Sequence, residues 1–155
     1  MVNGVAADLN YEGLALAGGA AIAGCCAQMV GFAVASFREN KWGGVVAQGI
    51  GTSMLQMGNI VKKPSVWLPA IITSAITGPV STCVFKLECT GVSAGMGTCG
   101  LVGPIGVFTD MGFNLNSVLG VITVCLVLPA ALSLLISEVM RRVGIIKPGD
   151  LKLDL

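Results

Sequence analysis

Of the 155 residues, 54% are hydrophobic and 11% are charged, against roughly 25% charged residues in a soluble domain. The mean hydropathy of +0.87 lies far on the apolar side, and a water-soluble fold of this size has too small a core to hide so much apolar surface. The net charge of +1 comes without a basic stripe, which excludes nucleic acid as a partner.

The chain has no histidine, and its six cysteines (Cys25, Cys26, Cys83, Cys89, Cys99, Cys125) form no C-x-x-C pair. No metal site and no cofactor is expected from this set. The thiols read as small, buried, reduced groups at helix contacts. The 22 glycines are about twice the usual ~7% share, as in membrane helices whose backbones approach closely.

Residues 1–13 are mixed and mildly acidic, and no positively charged segment precedes the first apolar run, which argues against a cleaved signal peptide. Leu14 to Phe37 then carries no charge and is long enough for a tilted span. Gly18, Gly19, Ala20, Ala23, Gly24, Ala27, Gly31 and Ala35 give it a small-residue surface that one helix offers another. Arg38, Glu39, Asn40, Lys41 and Trp42 mark a water interface.

Gly43 to Val61 is uncharged but holds five glycines together with Gln48, Gln56 and Asn59. Either this segment is a helix wrapped by others, or it dips into the bilayer and returns. Lys62, Lys63, Pro64 and Trp67 mark the next interface, and Ser65 to Phe85, interrupted by Pro69 and Pro79, is a second span. Residues 86–116 combine Lys86, Glu88, Asp110, Pro104 and a run of glycines. Irregular backbone at membrane depth survives only inside protein or beside a watery cavity, so this stretch reads as a re-entrant hairpin. Ser117 to Met140 is the cleanest span, stopped by Arg141 and Arg142, and residues 143–155 form a polar tail.

The expected fold is therefore an all-α integral membrane protein, one domain over residues 1–155. It has three to four transmembrane helices and one or two Gly-rich re-entrant hairpins: spans at about 14–37, 65–85 and 117–140, broken segments at about 43–61 and 86–116. The positive-inside bias places Arg38, Lys41, Lys62, Lys63, Arg141 and Arg142 together in the cytoplasm if 43–61 re-enters.

Gly95 to Gly100 matches G-x-G-x-x-G. Without a βαβ unit and a downstream acid this marks tight turns at a hairpin tip, and no nucleotide site. No catalytic constellation is visible. Ionisable groups near membrane depth line pathways or pair with each other. Glu88, with Thr90, Ser93, Thr98, Asn59, Gln56 and Gln48, is accordingly the candidate set for a polar ligand, with Lys86 as the nearest cation in sequence.

Three stretches carry a family resemblance: Ala15 to Ala21, Gly49-Ile50-Gly51-Thr52-Ser53-Met54-Leu55-Gln56-Met57-Gly58-Asn59, and Pro69 to Pro79, joined by the Gly-rich run from Gly91 to Gly106. In these the chain resembles the enzyme IIC sugar permeases of the bacterial phosphotransferase system. It looks most like a PfoR-like branch described as regulators of toxin expression, over roughly the C-terminal half of such permeases.

The resemblance implies a multi-pass protein of the bacterial inner membrane that binds and reorients a sugar while separate soluble phosphotransferase subunits phosphorylate it. It implies a homo-oligomer or a second permease half as partner, and a sugar held between re-entrant hairpins and helices. Where many members place a glutamate in Gly-Ile-Thr-Glu-Pro, this chain has Lys86-Leu87-Glu88-Cys89-Thr90-Gly91. The family's frequent sugar-site histidine has no counterpart. That keeps a second reading open, a membrane sensor or regulator with a permease-like fold and no transport.

Overall fold

The computed structural model describes residues 12–89 and 91–153. Among these residues every element is helical. In chain order they are α1 (Glu12–Ala35), α2 (Phe37–Val46), a π-helical turn (Ala47–Gly51), a 3-10 turn (Ser53–Gln56), α3 (Met57–Lys62), a 3-10 turn (Pro64–Trp67) and α4 (Leu68–Cys83). Two further 3-10 turns (Gly91–Gly95, Cys99–Leu101) lead into α5 (Val102–Met111), and α6 (Leu115–Gly120) continues through a π-helical stretch (Val121–Val127) into α7 (Leu128–Arg142).

Three continuous helical stretches are long and apolar enough to cross a membrane: Gly13–Ala35, Pro64–Cys83 and Leu115–Arg142. Proline shapes the two later ones. Pro69 sits in the first turn of α4, where its missing N–H costs nothing. Pro129 opens α7. Its ring crowds the carbonyl four residues earlier, at Cys125, and the helix widens into π geometry over that stretch.

Helix α1 is the centre of the bundle and packs against α4, α7 and both broken segments. Hydroxyls of α4 reach α1 carbonyls in reversed order: Ser81 to Gly19 at 3.0 Å, Thr77 to Ala23 at 3.5 Å and Ser74 to Gly24 at 3.3 Å. The two helices therefore run antiparallel. The third span runs with α1, since Ser133 lies beside Gly31 and the Arg141 guanidinium donates to the Ala35 carbonyl at 3.1 Å. One end of the bundle thus carries Ala35, Pro64 and Arg142, and the other carries Gly13, Cys83 and Leu115.

Each broken segment belongs to one end. After α1, Ser36 breaks the helix and α2 kinks at Lys41. The chain then turns back so that Gln48 donates to Ser36 at 2.8 Å and Gly49 lies against Ala33. It leaves through α3 to Lys63, which is paired with Asp150 at the end it started from.

From the opposite end, residues 87–89 and 91–101 follow α1 inward. Cys89 N donates to Ala15 O at 3.1 Å, Gly97 lies on the Cys25–Cys26 backbone, and Thr98 reaches Met29. Helix α5 then returns outward, with Gly103 against Gly97, Gly106 against Ser93, and Met111 accepting from the Glu88 N–H at 3.2 Å. Leu87, Cys89 and Val107 fill a core with Ile22, Cys26, Val121, Val124 and Cys125.

Part of the small-residue surface of α1, at Gly18, Gly19 and Gly31, is covered within the chain. A Cβ added at Gly19 would stand 1.8 Å from the Leu87 carbonyl oxygen, whereas Gly24 faces open space. Gly19→Ala is accordingly expected to destabilise by about 1–3 kcal/mol, and Gly24→Ala to be neutral or stabilising by up to about 1 kcal/mol. Melting of both variants in the same detergent checks this; equal effects would contradict the packing.

Candidate functional site

The two hairpins meet at their tips. The buried Thr98 hydroxyl donates to the Gly49 carbonyl at 2.6 Å. Gly49 lies in the π-helical turn, where the i→i+4 ladder is broken and a carbonyl can turn toward a hydroxyl from outside the helix. Gly97, at φ +56°, lets the other tip rest on the Cys25–Cys26 backbone, which stands within 3 Å of where a Cβ would be.

Beyond this contact the sequence-predicted residues separate into two groups. Gln48, Gln56 and Asn59 form a continuous amide chain at the end that holds Arg38 and Arg141. Gln48 donates to Ser36 Oγ, Gln56 donates to Gln48 Oε1 at 3.0 Å, and Asn59 donates to Gln56 Oε1 at 2.8 Å. Gln48 and Gln56 are fully buried.

The second hydrogen on each of the two later amides goes to the tail: Gln56 to Leu151 O at 3.1 Å and Asn59 to Lys152 O at 2.9 Å. Asn40 reads the same strand from the other side, donating to Leu151 O and accepting from Leu153 N, both at 2.8 Å. Glu39 takes the Leu151 N–H at 2.8 Å and pairs with Arg141 at 3.0 Å. The tail adds Ile146 and Leu151 to a core of Phe32, Ala35, Val66, Ala70 and Met140.

The second group lies along the other hairpin. Glu88 is exposed near its mouth, and Ser93 packs half-buried on Gly106 partway in. Thr90 lies outside the described residues. Lys86, at φ +46°, does not pair with Glu88; the three ion pairs among the described residues are Arg38–Glu138, Lys63–Asp150 and Arg141–Glu39, all at the opposite end. Among the described members of this group, Thr98 at the tip is the one shown hydrogen-bonded to the first hairpin.

Sequence reasoning found the amides but missed Ser36, Glu39, Asn40 and the tail that complete their bonding. The available signal was Lys147-Pro148-Gly149-Asp150, a turn sequence flanked by the apolar Ile146 and Leu151. Asp150 closes that turn by accepting from Lys147 N at 2.6 Å.

This architecture defines a class: a polytopic helical membrane protein in which two polar, irregular segments pack against three spans. The family model "Phosphotransferase system, EIIC" matches residues 3–153. The chain belongs to that family, and it is an integral protein of the bacterial inner membrane. Comparison with curated proteins and with solved structures gives no significant match.

The tail clasp is testable. Asn40→Ala deletes two hydrogen bonds, each worth about 0.5–1.5 kcal/mol, so tryptic cleavage after Lys152 should rise roughly tenfold. The Lys63 ammonium, and then the Lys147 N–H, hold the Asp150 carboxyl below the usual carboxylate range against an opposing effect of burial. A depressed value stabilises the docked tail above the unfolded pKa of about 3.9, and that contribution is lost as pH falls through the folded one. Tail release, followed by the fluorescence of a probe attached at position 153, should therefore be flat near neutrality and rise only in strong acid, with the acid rise reduced in Asp150→Asn. Unchanged cleavage in Asn40→Ala would show that the clasp does not hold the tail.

Proposed function

We propose that this chain binds a sugar and carries it across the inner membrane as the membrane component of a phosphotransferase-type permease, with separate soluble subunits supplying the phosphoryl group. The observation that carries this reading is the meeting of two polar, glycine-rich hairpins at Thr98 and Gly49 against three spans, in a chain matched to the family over residues 3–153. Hairpins that enter from opposite ends and touch at their tips divide the interior into two compartments. A polar solute that binds at the tips needs only a small hairpin movement to change sides.

Eight of the nine Lys and Arg residues lie at or beyond one end of the three spans, Lys86 being the exception. The positive-inside bias assigns that end to the cytoplasm. The hairpin 37–63 is then re-entrant from the cytoplasm and 86–116 from outside. On this reading the soluble partner approaches the end where the tail is clasped.

The proposed ligand set keeps Glu88, Thr90, Ser93 and Thr98 on the outer hairpin. Gln48, Gln56 and Asn59 join it only when the tail lets go, because their hydrogens are committed to Ser36, to one another and to the tail carbonyls. A carboxylate can accept two or more sugar hydroxyls at once, and hydrogen bonds to a charged group contribute about 1.5–3 kcal/mol.

Glu88→Gln should therefore weaken sugar binding by tenfold or more while leaving melting unchanged, since the side chain is exposed. Asp110→Asn should bind normally. The measurement is affinity of both variants, in mild detergent, for whichever member of a sugar panel stabilises the parent chain. Normal binding by Glu88→Gln, or its unfolding, would remove Glu88 from the site. Failure of every sugar to stabilise the parent would favour the sensor reading, which the lack of histidine supports.

A further inference from the structure

A groove separate from both hairpin tips opens at the cationic end, between the close of α1, the start of α2 and the last turns of α7. It encloses about 320 Å³ and is lined by Val34, Ala35, Val45 and Leu134, with Trp42 and Arg38 on its rim. Its walls belong to the last turn of one span and the last turns of another, and the ends of spans are where charged and aromatic side chains meet lipid headgroups.

Trp42 is 73% exposed and is held edge-on against Phe37 at 5.6 Å, the placement of an interfacial anchor. Arg38 reaches Glu138 through Nη2 at 3.2 Å, and its side chain is 67% exposed. A guanidinium has five N–H donors, so most of them remain directed outward. Glu138 and Arg141 also line the groove, and Glu39 and Glu138 are paired with Arg141 and Arg38; the bundle end that holds the groove stays net positive through Lys41, Lys62, Lys63 and Arg142.

We propose that this groove is a binding site for an anionic phospholipid. One acyl chain lies along Val34, Ala35, Val45 and Leu134, and the phosphate is held by the free donors of Arg38. Two features favour a lipid over another polypeptide: the groove lies between the ends of two spans, and the positive charge of that end is complementary to an anionic leaflet. Glu138 then acts as a competitor, since it occupies one face of the guanidinium that the phosphate would use. The proposal is independent of whether the protein transports sugar.

Native mass spectrometry of the full chain, exchanged between phosphatidylglycerol and phosphatidylcholine of equal chain length, tests it. The parent should retain phosphatidylglycerol about tenfold better, and the preference should fall with added salt. Arg38→Gln should bring the two lipids to parity. Glu138→Gln should raise the preference, because it frees Arg38; the partly exposed pair contributes little to stability, so folding survives. Leu134→Trp, which fills the groove at a position already half exposed, should lower retention of both lipids.

Equal retention of the two lipids by the parent, or an intact preference in Arg38→Gln, would overturn the proposal. So would displacement of the lipid by glycerol phosphate at the same concentration, which would mean an anion site without an acyl groove. A lipid-free dimer as the retained species would assign the groove to a second copy.

Discussion

A backbone N–H or C=O inside a bilayer has no water to bond, and each one left unpaired costs several kcal/mol. Everything irregular in this protein is arranged around that constraint. Two segments break the helical ladder between the spans, and each finds partners for part of its irregular backbone within the protein. The Gly49 carbonyl, released where the ladder widens into a π turn, is taken by the Thr98 hydroxyl. The Leu87 N–H finds Ser81 O, the Cys89 N–H finds Ala15 O, and Gly103 N–H closes the second broken segment on Gly97 O. The spans contribute as well: the α4 hydroxyls of Ser74, Thr77 and Ser81 bond α1 carbonyls across the interface.

Close approach is the condition for this pairing, and it explains where the glycines fall. The hairpin arm can bond to α1 only if its backbone lies directly on the helix, which the missing Cβ at Gly18 and Gly19 permits. The return helix α5 reaches the descending arm through Gly103 and Gly106 in the same way. A bundle built on such contacts tolerates little change in side-chain volume along the seam. On the open faces, such as around Gly24 and Gly78, it is indifferent to change.

The spans were legible because lack of charge over a sufficient length is a one-dimensional property. Expected ranges of 14–37, 65–85 and 117–140 compare with Gly13–Ala35, Pro64–Cys83 and Leu115–Arg142. The shifts at the ends come from Ser36, which breaks the first helix early, and from the Lys63–Pro64 turn that starts the second. The breaks at 43–61 and 86–116 were legible in composition, since glycine, glutamine and asparagine cannot face lipid cheaply.

The partners of the amides were not legible. A glutamine side chain offers two donors and an acceptor with two lone pairs, and nothing local distinguishes a ligand hydroxyl from a peptide carbonyl far along the chain. Gln56 bonds a residue 95 positions away. Residues 143–153 read as a polar tail by charge, while the two side chains that dock it, Ile146 and Leu151, are both 1% exposed and are a small minority of that stretch. The structure separates the candidate residues into two groups rather than one cluster. The amide group secures the tail, and the carboxylate stands at the mouth of the other hairpin.

The central claim is that each broken segment enters and leaves at its own end of the bundle, so that the two meet at their tips. Cysteine labelling in sealed vesicles, in a background freed of the native thiols, tests it directly with single probes at Lys41, Lys62 and Phe113. The account predicts that 41 and 62 react with a membrane-impermeant reagent from the same face, and 113 from the opposite one. Labelling of 41 and 62 from opposite faces would mean that 43–61 crosses the membrane, and would contradict the account.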